Sequence, residues 1–333
     1  MQPTHSALSR TAVLASIAAL ILSTLATPVS AAGRSAADTI RYAAVQTCKL
    51  KGGSRGPCGG WRLAMRGGGT VRLPDARTTP RDARGKVRKE QAAPIAVSGD
   101  GTTVAYFRKS DDRLVVRRLG GEAVVVPNAP AKGVGMDDLA LYLSRTGDRL
   151  AVEVAGGPRK RPTLVYDLSE PDAGPGEIPR TLAFQGFGDE SALAAELSGD
   201  DITRLVTFPA DDEPKVAVRP PRVVADNAPY GLAPDGTTVA FFSGSGGTAA
   251  LRLYDLETGA ITRGIPVRLD GADLPEVVTW TGENQVTAHV SRIAEGGRTD
   301  MRVLQIDTET GGVSTRDSYT IRADAFTYAA RGA

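Results

Sequence analysis

The sequence predicts an all-β protein, a six-bladed β-propeller whose ring is closed by the C-terminal strand. The first observation is a repeat: a short apolar stretch, a tight turn holding Gly and an acid, then an alternating apolar strand. The turn acids are Asp100, Asp148, Asp189, Asp235 and Glu283. They lie 41 to 48 residues apart, and a period of about 40–50 residues with this content is typical of propeller blades. The second observation is that the chain has a partial repeat at each end.

The clearest copy occupies residues 229–268. Pro234 and Gly236 fit the positions of a tight turn that need a fixed and a positive φ, respectively. Short alternating stretches follow at 238–242 and 250–256, and four such strands joined by tight turns form one antiparallel sheet. The same order predicts blades at about 94–126, 139–182, 182–224 and 277–321.

The two chain ends predict the sixth blade. Residues 39–75 contain second, third and fourth strands with no first strand before them, and residues 323–330 look like a first strand with no blade after it. We therefore expect a composite blade in which the C-terminal strand completes the N-terminal three. A pair of β-sandwiches is the alternative architecture, and the near-constant repeat length favours the propeller.

The N-terminal segment predicts export. Residues 11–26 are apolar and small residues follow at 28–32, which is typical of a cleaved secretory signal peptide over residues 1–31. An uncleaved membrane anchor is the alternative. The propeller domain would then be 32–333, without a transmembrane segment. Cys48 and Cys58 are the only cysteines, and in an oxidising compartment an even count predicts a disulfide bond.

Two of the units resemble a known family. The stretches from Ser98 to Ala105 and from Ala233 to Ala240 resemble the repeat of the TolB-type, WD-like propeller, and the stretch from Leu251 to Gly259 resembles its continuation. The resemblance implies a six-bladed ring, often periplasmic or secreted, that binds other proteins at the cell envelope. We expect a stand-alone propeller without the N-terminal α/β domain of TolB, and therefore without its translocation role.

Catalytic and metal-binding motifs are absent from the sequence. An acid beside Gly caps its own turn, so we expect a structural role for Asp100, Asp148, Asp189, Asp235 and Glu283. His289 is the only histidine after cleavage and cannot form a two-histidine metal site. We expect no catalytic residue, metal or cofactor. The alternative is a hydrolase or lyase acting on extracellular carbohydrate or lactone, with channel carboxylates drawn from four candidates: Glu153, Asp137, Asp138 and Glu196.

Charge and loop length indicate where partners could bind. The net charge of +2 gives no global attraction to nucleic acid, and the basic stretch from Arg77 to Lys89 contains no aromatic residue for base stacking. That stretch is predicted to be a solvated linker between blades, or else a contact with an anionic surface. The sequence favours a binding module for an envelope or secreted protein, with loops at 127–138, 155–162, 171–179 and 266–275 as its surface.

Overall fold

The protein is a six-bladed β-propeller, as predicted, in which every blade is a four-stranded antiparallel sheet. The computed structural model describes residues 38–129, 133–154, 161–199, 201–209, 214–244, 247 and 249–332. Blade 1 is composite and contains β1 (Ile40–Lys49), β2 (Arg55–Met65), β3 (Thr70–Arg72) and β24 (Ala325–Ala330). The predicted signal peptide lies outside the described residues.

Blades 2 to 6 follow one another along the chain. Blade 2 contains β4 (Ile95–Val97), β5 (Thr103–Phe107), β6 (Leu114–Arg118) and β7 (Ala123–Val125). Blade 3 contains β8 (Leu139–Leu143), β9 (Arg149–Val154), β10 (Thr163–Asp167) and β11 (Gly176–Ile178). Blade 4 contains β12 (Leu182–Phe187), β13 (Ser191–Ser198), β14 (Asp201–Pro209) and β15 (Val216–Val218). This weakest sequence repeat is therefore a regular four-stranded blade.

A four-residue helix, α1 (Arg222–Ala225), leads into blade 5. Blade 5 contains β16 (Gly231–Leu232), β17 (Thr238–Ser243), β18 (Ala250–Asp255) and β19 (Ile265–Pro266). Blade 6 contains β20 (Leu274–Gly282), β21 (Gln285–Ile293), β22 (Thr299–Asp307) and β23 (Val313–Ile321).

The C-terminal strand closes the ring, as predicted. β24 pairs antiparallel with β1 from Tyr42↔Ala330 to Gln46↔Ala325. Just beyond this ladder, the Thr47 amide donates to the Asp324 carbonyl at 2.7 Å. The innermost position of blade 1 is thus filled by the last strand of the chain, because the N-terminal segment supplies only the outer three.

Hairpin connectivity gives the ring two different faces. The turns that follow the inner strands, at residues 98–102, 144–148, 188–190 and 233–237, lie on what we call the turn face. The loops that enter the inner strands lie on the opposite face, which we call the loop face. Neighbouring turns contact one another, since the Asp100 amide donates to the Arg145 carbonyl at 2.7 Å. On its other side the same turn packs against the start of β1, and Gly101, at φ +73°, allows this approach, because a Cβ there would collide with the Ile40 carbonyl oxygen.

Apolar side chains fill five of the six interfaces between blades. Representative buried residues are Trp61 and Tyr106 between blades 1 and 2, Phe107 and Leu150 between 2 and 3, Ile178 and Phe184 between 3 and 4, Leu205 and Phe241 between 4 and 5, and Leu251 and Trp280 between 5 and 6. Each blade therefore buries both faces against its neighbours, which a single sheet cannot do alone.

The interface between blades 6 and 1, the closure seam, is much more polar. Arg41 donates two hydrogen bonds to Asp317, at 2.9 and 2.7 Å. The rings of Tyr42 and Tyr319 stack with their centroids 5.5 Å apart. On β21, Val286, Ala288 and Val290 face blade 5, so alternation turns the buried His289 toward the seam. The closure therefore depends on directional contacts as well as on apolar burial.

The predicted disulfide bond is present and joins the first two strands of blade 1. Cys48 and Cys58 lie near the loop end of the β1–β2 hairpin, with their Cα atoms 5.8 Å apart. In the chain-entropy account, a cross-link over so short a loop stabilises the fold mainly by restricting the unfolded chain.

Replacing both cysteines by serine should lower the free energy of unfolding by about 2–3 kcal/mol, because loop-closure entropy is restored to the unfolded chain. Urea unfolding of the variant and of the wild type, with and without reductant, measures this difference. Reductant should shift the wild-type midpoint to that of the variant and leave the variant unchanged. Equal midpoints for all four samples would contradict a stabilising role.

Candidate functional site

The inner strands surround a cavity at the centre of the ring. Its volume is about 280 Å³ and its lining comes from five blades together with Gly332, just beyond β24. The larger and more polar contributors are Tyr142, Arg145, Phe184, Gln185, Phe187, Tyr230 and Glu276. Because every blade supplies an inner strand, the lining combines side chains that are far apart in sequence.

Aromatic side chains form one wall of this central cavity. The ring of Phe184 lies with its centroid 4.9 Å from that of Tyr142 and 4.9 Å from that of Phe187. The guanidinium of Arg149 lies 4.9 Å from the centroid of the Phe187 ring. The Tyr230 ring is buried between blades 4 and 5, and its hydroxyl donates to the Val224 carbonyl of α1 at 2.7 Å. This wall is therefore held in place by packing and hydrogen bonding.

Two carboxylates near the cavity are bound to tyrosines. Glu153 accepts a hydrogen bond from the Tyr142 hydroxyl at 3.2 Å and another from the Phe184 amide at 3.1 Å. Glu276 accepts from the Tyr328 hydroxyl at 2.7 Å. Burial, and next the Glu153 carboxylate, raise the pKa of Tyr142, so this phenol stays protonated and able to donate. These acids position aromatic side chains.

A cation lies at the rim of the cavity on the turn face. Arg145 belongs to the turn after β8, and its guanidinium lies 3.2 Å from the Asp189 carboxylate in the next blade's turn. Both side chains remain more than one third exposed. An exposed pair of this kind contributes little to stability, so Arg145 can exchange Asp189 for an incoming carboxylate.

The four candidate catalytic acids are not brought together. Glu153 lies on β9 with the partners given above, and Glu196 lies on β13 with Arg204 at 3.0 Å. Asp137 accepts from Arg88 at 3.0 Å, and Asp138 lies beside it in the short turn before β8. Within the described ranges, no three His, Cys, Asp or Glu side chains form a metal-binding group. The structure therefore does not favour the hydrolase alternative.

The turn acids differ in what they contact. Asp100 accepts from the Ser98 hydroxyl at 2.6 Å and the Thr102 amide at 2.9 Å. Asp235 accepts from the amides of Thr237 and Thr238 at 2.7 and 2.8 Å, and these bonds outweigh partial burial and lower its pKa. Asp100 and Asp235 thus accept hydrogen bonds from residues of their own turns, and the structural role of the turn acids stays a prediction.

The remaining turn acids are held less uniformly. Asp148 accepts from the Ser144 hydroxyl at 2.5 Å, whereas Asp189 contacts Arg145 across blades. Glu283 is exposed and makes no hydrogen bond or ion pair within the described part of the chain. Its structural role remains a prediction.

The predicted binding loops are divided between the two faces. Residues 127–138 and 266–275 precede inner strands and lie on the loop face, although 130–132 are outside the described residues. Most of 155–162 is also outside them. The segment 171–179 contains the turn between β10 and β11, which lies on the turn face. The predicted surface is thus not a single patch.

Sequence reasoning missed the aromatic wall, although the repeat contained a clue to it. Tyr142 lies six residues before the turn acid Asp148, and Phe184 and Tyr230 lie five residues before Asp189 and Asp235, respectively. Phe184 and Tyr230 share a position and face the preceding blade, whereas Tyr142 is one residue out of step and faces the following blade, so that Tyr142 and Phe184 meet between blades 3 and 4. In a propeller, the inner strands place those positions around the axis.

No family model and no curated protein sequence matches the chain. Among solved structures it is similar to a protein of Agrobacterium tumefaciens assigned as TolB, with 14% identity over 87% of this chain and 91% of that one, and a TM-score of 0.48. It is also similar to TolB of Acinetobacter baumannii, with 12% identity over 84% and 81% of the two chains and a TM-score of 0.43. These are similarities of fold.

The helices of the described residues are short. None of the helices there has the length and apolar character that crossing requires.

Proposed function

We propose that the protein is an extracytoplasmic binding module that takes a segment of a partner protein at the centre of its ring. The single observation that carries the proposal is the central cavity, where the partly exposed rings of Tyr142 and Phe187 stand beside Arg145 and are backed by the buried Phe184. Tyrosine, phenylalanine and arginine are enriched at the centres of protein interfaces, because they bury large areas with little loss of side-chain freedom.

The scaffold suits recognition better than catalysis. Rigid inner strands fix the aromatic side chains, and the nearby acids are engaged by Tyr142 and Tyr328. A partner segment carrying an apolar side chain and a carboxylate would find an aromatic wall and the exposed side of Arg145. Preorganised contacts of this kind lower the entropic cost of binding.

The location outside the cytoplasm is supported by two features. The Cys48–Cys58 disulfide bond belongs to an oxidising environment, and the sequence predicts export through residues 1–31. A cell-envelope or secreted partner is consistent with both.

The test is comparative capture of envelope and culture-fluid proteins on the immobilised protein. The double variant Arg145→Glu, Phe187→Ala should capture about tenfold less, or still less, of a partner that binds the wild type saturably. The reason is that an aromatic contact and a charge contact are lost together. Arg204→Glu is the matched control, since Arg204 forms a similar half-exposed ion pair at 3.0 Å away from the cavity.

The outcomes separate the site from the rest of the surface. A partner lost by the cavity variant and retained by the control supports binding at the centre of the ring. Equal retention by all three proteins would place the partner elsewhere, and the proposal would fail. Unchanged melting temperatures of the variants show that the comparison concerns binding.

A further inference from the structure

The basic stretch from Arg77 to Lys89 is fixed to the propeller, whereas the sequence predicted a solvated linker. The Arg77 amide donates to the Phe107 carbonyl at 2.8 Å, and the indole of Trp61 donates to the Arg77 carbonyl at 3.0 Å. Further along, the Asp82 amide donates to the Lys86 carbonyl at 2.9 Å and closes a turn. Its charges are therefore displayed on a defined surface of blades 1 and 2.

The cations of this stretch fall into two groups. Arg77 and Arg81 both form ion pairs with Asp112, and Arg88 pairs with Asp137. The others are exposed and form no ion pair within the described residues. They are joined by three similarly exposed and unpaired cations of the disulfide-linked hairpin. Together the free cations are Lys49, Lys51, Arg55, Arg84, Lys86 and Lys89.

A groove of about 640 Å³ separates the hairpin loop from residues 86–91. Lys51 lies on one wall, and Lys86, Arg88 and Lys89 lie on the other. Glu90 is the only acid among the lining residues. Because cations flank the groove on both sides, their potentials add within it and attract anions. We call this feature the basic groove.

Close backbone packing fixes the two walls. Gly56 of β2 lies against the Lys89 carbonyl, and a Cβ at Gly56 would collide with that oxygen and approach the Leu50 side chain. The Cys48–Cys58 bond holds the hairpin itself. The spacing of the cations is thus built into the fold, and it does not depend on the central cavity.

We propose that the basic groove binds a linear anionic polysaccharide. Lysine ammonium groups are hydrated point charges suited to carboxylate or sulfate groups along such a chain. No aromatic side chain lines the groove for base stacking. The only apolar lining residues are Leu50 and Val87, which are half-buried, and the fully exposed large apolar side chains of the described residues all lie outside both walls, so the groove offers little to insert into a bilayer.

The experiment measures binding of a heparin oligosaccharide, and separately of polygalacturonate, by titration calorimetry at several salt concentrations. The variant is Lys51→Gln, Lys86→Gln and Lys89→Gln together. It should bind about tenfold or more weakly, and log Kd should depend less steeply on log salt, because fewer counterions are displaced. The matched control removes three exposed cations of blades 4 and 5: Lys215→Gln, Arg219→Gln and Arg263→Gln.

A second variant tests the groove apart from its charge. Gly56→Ala keeps every cation but pushes the walls apart, and it should weaken binding about threefold or more while the protein stays folded by circular dichroism. Equal losses in the groove and control triple variants would show attraction by net charge alone and overturn the proposal. So would wild-type affinity in Gly56→Ala, or the absence of wild-type binding to both polymers at about 0.1 M salt.

A membrane is distinguished by vesicles containing phosphatidylglycerol. The proposal expects the protein to bind the oligosaccharides and to leave such vesicles unbound at about 0.1 M salt. Vesicle binding that the groove variant abolishes, without oligosaccharide binding, would assign the surface to lipid and refute the polysaccharide.

Discussion

Removing residues 323–333 should abolish cooperative folding of the propeller. The truncation deletes β24, and with it the ladder to β1 and the Tyr328–Glu276 hydrogen bond of 2.7 Å across the closure seam. It also uncovers buried residues of blades 1 and 2 such as Val45 and Val97. The loss should exceed about 5 kcal/mol, which is comparable to the whole stability of an ordinary domain. Thermal unfolding followed by circular dichroism measures it.

Complementation is the control for this truncation. A synthetic peptide of residues 323–333 should restore a cooperative transition to the truncated protein, because β24 joins the ring through one antiparallel partner strand. A scrambled peptide should not restore it. A truncated protein that melts like the full chain would refute closure by the C-terminal strand.

Acid should destabilise the protein through His289. This side chain is 3% exposed, and burial, with a further contribution from Arg331, lowers its pKa to about 3. The unfolded chain takes up the proton near pH 6.5. The stabilisation is therefore complete above pH 6.5 and is lost as pH falls toward 3, by about 1.4 kcal/mol per pH unit in the middle of that range.

The measurement is the free energy of urea unfolding as a function of pH for the wild type and His289→Gln. Between about pH 6 and 4, the free energy of unfolding of the wild type, relative to that of His289→Gln, should fall by about 1.4 kcal/mol for each pH unit. The variant shows no such fall because it has no imidazole to take up a proton. Charged neighbours in the closure seam are Arg331 and Asp317. Burial raises the pKa of Asp317, but hydrogen bonds from Arg41 help to outweigh burial and hold this pKa below its usual value of 3.8. The loss of stability through protonation of Asp317 therefore begins only near pH 4. Parallel curves between about pH 6 and 4 would show that His289 is not held neutral.

Local chemistry made the blades predictable from sequence. The turn around Asp235 and Gly236 recurs at nearly constant intervals, and a tight turn between alternating strands determines a hairpin without knowledge of distant residues. Even β24 could be located, because the repeat length counted forward from Trp280 ends within it.

The candidate site was less predictable, because its contacts join residues that are far apart in sequence. The Phe184 amide reaches Glu153 in the preceding blade, and Arg41 reaches Asp317 near the other end of the chain. Whether an acid such as Glu153 is free or bound to a tyrosine depends on how adjacent blades rotate against each other. No local pattern carries that information.

The pairing of β24 with β1 also determines how the ring responds to mechanical load. The two strands are antiparallel, and the start of β1 and the end of β24 meet at the same end of their ladder, where Tyr42 pairs with Ala330. A force that pulls residues 38 and 332 apart therefore acts on one pair of residues at a time and unzips the ladder in sequence. Antiparallel strands loaded from opposite ends would instead share the force among all their hydrogen bonds. Tension applied through the chain ends thus opens this propeller first at its composite blade.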